Sequence, residues 1–159
     1  MNQAEWVEVF KRLSPDRQTP DVLELPHWDE AHWGQLLSYT TPRPFRASDV
    51  VVQRDATDRT LHLVAAGSLE VGVTHVDGVS MTSLARIHAG SILGEQSFFD
   101  GQPRSATVWA VTNGTLLLLP HDRFVEFGEA EPALARDFVF AMARVLSIRL
   151  RNTSFRVRR

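Results

Sequence analysis

The segment Gly90–Ala110, GSILGEQSFFDGQPRSATVWA, concentrates side chains able to grip a small anion. A phosphate group is held by converging N–H donors, and the first turn of a helix offers such donors unpaired. Gly94 permits close backbone approach, and GEQSFFD reads as one short helix that starts there. Arg104 adds a planar fork of donors matched to phosphate oxygens, and Ser105 places a hydroxyl beside it. Glu95 is acceptor-only when ionised, so it suits sugar hydroxyls rather than phosphate. Glu95 and Arg104 stand nine residues apart, joined by a helix and a Gly-Gln-Pro turn. That arrangement can hold opposite sides of a ribose-phosphate ring. Spacing alone leaves a second reading open, in which Glu95 and Arg104 simply form a structural salt bridge.

These residues have to be presented by a framework, and the chain's patterning describes one. AEWVEVFKRL sets Trp6, Val9, Phe10 and Leu13 at helical spacing, and PHWDEAHWGQLLSY begins a second helical pattern after Pro15 and Pro20. From about residue 44 to 120 the pattern turns to strands: Val50–Arg54, Thr60–Gly67, Ser68–His75, the alternating VSMTSLARI, Ser105–Thr112 and Thr115–Pro120. Val76–Gly78 and Asn113-Gly114 read as hairpin turns. HDRFVEFGEAEP then reads as a short helix ended by Gly128 and Pro132, followed by a long helix from Ala133 to about Arg151. The expected fold class is α+β, an antiparallel β-roll with N-terminal helices and a C-terminal helix pair. The expected segments are a helical stretch 1–40, the roll 41–120 with its cassette 90–110, a helix pair 121–152 and a basic tail 153–159.

The long helix carries two apolar stripes, Leu134-Phe138-Ala141-Val145-Ile148 and Val139-Met142-Leu146-Leu150. One is needed to pack on the roll. The second points to a homodimer through residues 133–151, unless one deep groove buries both. On the roll, inward Arg104, Ala106 and Val108 would put Trp109 on the outer face, where it needs cover from the N-terminal helices or a partner.

Composition narrows the class. The 159 residues are 43% hydrophobic and 23% charged, ordinary for one globular domain. With no cysteine, disulfides and thiolate metal sites are excluded, and a reducing cytoplasm is the expected location. No apolar run approaches a membrane span. The six histidines show no metal-ligand spacing, and Gly90–Gly94 is not a nucleophile elbow, so no catalytic residue and no metal site is expected. A net charge of −2 argues against bulk nucleic-acid affinity, although six arginines and no acid follow Asp137. The arginines suit a helix C-terminus and solvated tail, or a patch for an acidic partner or nucleic acid.

The run LGEQSFFDGQPRSATVWA resembles the phosphate-binding cassette of cyclic-nucleotide-binding domains, as in the catabolite activator protein family, kinase regulatory subunits and gated channels. LHLVAAGSLEV, LARIHAGSILGE and PHDRFVEF resemble the family's strand pair, its approach to the cassette and the entry to its helix pair. The resemblance covers about residues 28 to 152. It implies that Glu95 takes the ribose 2′-hydroxyl and Arg104 the cyclic phosphate, with Leu93, Gly94, Gln96, Ser105 and Ala106 completing the cassette. It also implies an apolar wall including Val71 and Leu84. Arg149 is the candidate to approach the base, the alternative being a solvated arginine at a helix end. Leu93 stands where an aromatic is usual, and Ser91 replaces a frequent Asp. The implied function is a stand-alone sensor of cyclic AMP, favoured over cyclic GMP, passing a conformational change to an unidentified effector protein. The alternative is a degenerate fold serving as an interaction module. With no helix-turn-helix segment in the sequence, site-specific DNA binding is not expected.

Overall fold

The computed structural model describes residues 1–12, 21–74 and 81–157. Two helices come first, α1 (Gln3–Lys11) and α2 (Glu30–Leu37), opened by capping boxes on Asn2 and Asp29. The strands are β1 (Thr41–Phe45), β2 (Val50–Val52), β3 (Leu61–Ala66), β4 (Ser68–Thr74), β5 (Met81–His88), β6 (Ile92–Leu93), β7 (Thr107–Ala110) and β8 (Gly114–Leu119). A short helix, α3 (Glu95–Asp100), interrupts them between β6 and β7, and α4 (His121–Ala130) and α5 (Pro132–Val157) follow.

The strands form two antiparallel sheets, ordered β1-β8-β3-β6 and β2-β7-β4-β5. The chain passes repeatedly from one sheet to the other, which makes the expected β-roll with flanking helices. Residues of β3 alternate between two cores. Leu61, Leu63 and Ala65 face the helices, where they join Phe10, Trp33, Phe127 and Phe138. Val64 points into the roll with Phe45, Leu69, Leu93, Val108 and Leu116. His62 shares the parity of Val64 and is buried on that inner side.

Several local expectations are corrected. Asn113-Gly114 closes no hairpin, because β7 and β8 lie in different sheets. It is a crossing point, and any Cβ at Gly114 would stand 2.1 Å from the Ala66 carbonyl oxygen. The other expected hairpin, Val76–Gly78, lies outside the described residues. Helix α4 continues through Gly128 to Ala130, and α5 runs well past Arg151, so residues 152–157 are helix rather than tail. Val145 and Phe138 from one stripe of α5 and Met142 from the other are all fully buried within a single chain. Trp109, outward on β7, is half-covered, with its ring against Gly72 of the neighbouring β4.

Candidate functional site

The cassette begins where β6 ends. Gly94 caps α3 with φ of 80°, a left-handed conformation in which glycine alone is unstrained. A Cβ there would also lie 2.5 Å from Nη1 of Arg104. At the other end of α3, the Arg59 guanidinium donates to the carbonyls of Ser97, Phe98 and Phe99, so the open end of this short helix is satisfied by a side chain.

Arg104 precedes β7 and its side chain is only 2% exposed. Nη1 donates to the Gly94 carbonyl at 2.9 Å and Nη2 to the Thr60 carbonyl at 2.6 Å. The remaining edge grips Asp58, with Nη2 to Oδ1 at 2.5 Å and Nε to Oδ2 at 3.3 Å. Asp58 is 53% exposed, so the pair joins an interior cation to a carboxylate at the solvent boundary. Burial works to raise the Asp58 carboxyl. Hydrogen bonds from Arg104 and the Thr60 N–H override it and hold it below the usual range.

Glu95, buried in the first turn of α3, does not pair with Arg104. Its Oε1 accepts from Nη1 of Arg149 on α5 at 2.8 Å. The same guanidinium reaches Asp21 through Nε at 3.0 Å, and Nη2 donates to Ser91 Oγ and to the Ile92 carbonyl. Burial alone would lower the Arg149 pKa, and the carboxylates of Glu95 and Asp21 raise it instead. Arg149 is therefore not a solvated helix-end arginine in this structure, its guanidinium being engaged by Glu95, Asp21, Ser91 and Ile92. It ties α5 to the cassette and to the segment after α1. Arg144 reinforces that tie through Glu24 and the Val22 carbonyl.

The structure brings Leu93, Gly94, Glu95, Arg104 and Arg149 into one cluster. Ser105 and Gln96 bond each other at the exposed edge, 2.9 Å apart, and Ala106 leads into β7. Val71 is half-buried against the inter-sheet core, whereas Leu84 is exposed on β5 and its carbonyl accepts from Arg156. The sequence reading missed Asp58, Arg59, Asp21 and the role of Ser91. Asp58 lies 46 residues from Arg104, and Asp21 lies 128 from Arg149, separations that leave no local spacing to read. Among the described residues, no group of histidine and carboxylate side chains could hold a metal ion, and no helix is long and apolar enough to cross a membrane.

A β-roll with an arginine and a glutamate set on one glycine-headed cassette is the architecture of a regulatory nucleotide-binding module. Residues 42–131 match the family model of the cyclic nucleotide-binding domain, and the chain belongs to that family. It is 30% identical over 110 residues to the cyclic AMP receptor protein of Thermus thermophilus, which covers 69% of this chain and 50% of that protein. It is likewise 30% identical over 144 residues to the Pycsar effector protein BcPycTIR of Burkholderia cepacia, covering 90% of this chain and 44% of that one. The chain thus spans about half the length of these relatives. Among solved structures, the Thermus thermophilus catabolite activator protein is similar with a TM-score of 0.71 and 26% identity, over 83% of this chain and 60% of that one. A cyclic nucleotide-binding domain from Methylobacillus flagellatus KT shares the fold at a TM-score of 0.78 and 21% identity, over 98% of this chain and 82% of that one.

Proposed function

We propose that the chain is a cyclic-nucleotide sensor that takes cyclic AMP in preference to cyclic GMP and signals through α5 to a partner protein. The observation that carries this is the convergence of Glu95 and Arg104 on Gly94, each holding a protein charge that a ligand can displace or share. At Arg104, the Asp58 carboxylate occupies the Nε–Nη2 edge that the cyclic phosphate would take. A cyclic phosphate brings the same charge to the same edge and releases Asp58 to solvent. At Glu95, a ribose hydroxyl would compete with Arg149. Ligand occupancy and the seating of α5 are then linked, and the ligand shifts the balance between helix positions. Leu93, Gln96, Ser105 and Ala106 complete the proposed cassette contacts, with Val71 and Leu84 on the wall. The preference for adenine is supported by the relative named as a cyclic AMP receptor protein. A chain without cysteine suits the cytoplasm.

The same contacts support a second reading. Both gripping side chains are already satisfied by protein partners, as they would be in an interaction module without a nucleotide signal. Calorimetric titration with cyclic AMP, cyclic GMP and a cyclic dinucleotide separates the two. The expected result is saturable binding of cyclic AMP, tighter than cyclic GMP, with a loss of about 2–5 kcal/mol in Arg104→Ala. Absence of heat with all three ligands selects the interaction module.

A further inference from the structure

His62 is an ionisable side chain of the roll interior that none of the contacts above employs. Only 4% of it is exposed, and its Nδ1 has no hydrogen-bond partner among the described residues. It lies on the same side of β3 as the inter-sheet core, immediately under the cassette. The position where a Cβ of Gly94 would stand is 3.2 Å from His62 Nδ1 and 2.5 Å from Arg104 Nη1, so both nitrogens crowd one face of that glycine. A guanidinium has five N–H donors. Four bonds are made, one from Nε, one from Nη1 and two from Nη2, leaving a single N–H on Nη1. A buried nitrogen without a bond and a buried arginine with one donor unspent therefore both flank Gly94. A buried polar atom left unbonded is costly, so this pairing has a driving force.

We propose that His62 is a positioning residue for ligand recognition: when the cyclic phosphate replaces Asp58, Nδ1 accepts the remaining Nη1 hydrogen of Arg104 and fixes the plane of the guanidinium. The inference rests on the cyclic-nucleotide reading of the site. A fixed plane presents the Nε–Nη2 edge to one exocyclic phosphate oxygen rather than equally to both. His62 thereby governs how strictly the site distinguishes the two oxygens, without touching the ligand itself.

The test uses the full chain and three ligands: cyclic AMP and its two phosphorothioate diastereomers, in which sulfur replaces one or the other exocyclic oxygen. Calorimetry on the wild type should show a clear preference for one diastereomer. His62→Phe keeps a ring but no acceptor. It should lose about tenfold in cyclic AMP affinity, the worth of one hydrogen bond to a charged group, and narrow the diastereomer ratio. His62→Gln, which restores an acceptor, should recover most of both. An unchanged ratio in His62→Phe overturns the assignment, as does an equal loss for all three ligands that Gln does not rescue. Wild-type protein that binds none of the ligands refutes the cyclic-nucleotide reading, and this inference with it. If His62→Phe does not fold, nitrogen-15 spectra of wild-type histidines decide. The Nδ1 signal of His62 should move from a free lone pair to an accepting nitrogen when cyclic AMP is added, and a stationary signal refutes the contact.

Discussion

Arg104 is enclosed by two carbonyls, a glycine and a half-exposed aspartate, so its environment differs on each edge of one planar group. Asp58 is the partner at the solvent boundary, and the carbonyls are fixed parts of the backbone. His62 beside it makes the acid behaviour of the fold predictable. Burial first, then the Arg104 charge with help from Arg43, pushes its imidazole down to about 4, while Asp58 and the Leu93 backbone work the other way. In the unfolded chain the ring titrates near its ordinary 6.5. Between these values the unfolded state binds a proton that the native state refuses. Stability therefore falls as pH drops from about 6.5 toward 4, by on the order of 3 kcal/mol if His62 acted alone. Denaturant melts of wild type and His62→Gln across that range should show a shallower decline in the variant. Parallel declines would remove His62 as the cause.

At the scale of elements, α5 is coupled to the cassette by one guanidinium shared between Glu95 and Asp21. Arg149→Met keeps the apolar stem and removes both ion pairs. It should cost about 2 kcal/mol of stability, less than a fully buried pair, because 22% of the side chain is in solvent. Hydrogen exchange along α5 beyond Val145 should quicken in wild type when cyclic AMP is added. In Arg149→Met it should already be fast and unresponsive. An equal ligand response in both proteins would show that α5 is not read through this contact. These partners also mark the limit of legibility in the sequence. Strands β3, β4, β7 and β8 and helix α3 announce themselves by alternation and turn residues, and the cassette by its motif. β1 shows no such signal, since Pro42 and Pro44 supply no N–H; it persists as an edge of its sheet, where missing N–H donors are tolerated. Asp58 and Asp21 meet their arginines only after the roll and α5 have closed around the site, and no periodicity records such a meeting.

For the whole molecule, the unfinished business lies on the outward face of α5. Phe140 is 71% exposed and Leu150 69%, and the exposed residues Ala143, Ser147 and Ser154 share their face at helical spacing. Small residues beside large apolar ones allow close helix approach, and we propose that this face is the homodimer seam. Val145, an obvious target by stripe alone, belongs to the core, so a charge there would test folding instead. Leu150→Glu should convert a dimer to a folded monomer in sedimentation, and a wild type that stays monomeric at high concentration would end the proposal. The interleaving of the two sheets has a further effect, on how the chain acquires its shape. β8 lies between β1 and β3, pairing Thr41 with Leu118 and Leu61 with Leu119. A nascent chain that has emerged only as far as Asn113 therefore holds β1 and β3 with no central strand to bond them. The apolar side of Leu61 and Leu63 remains open during that interval. Such long-range pairing is slow and exposes sticky edges meanwhile. Closure of this sheet on the ribosome is thus expected to wait until Leu119 has cleared the exit tunnel.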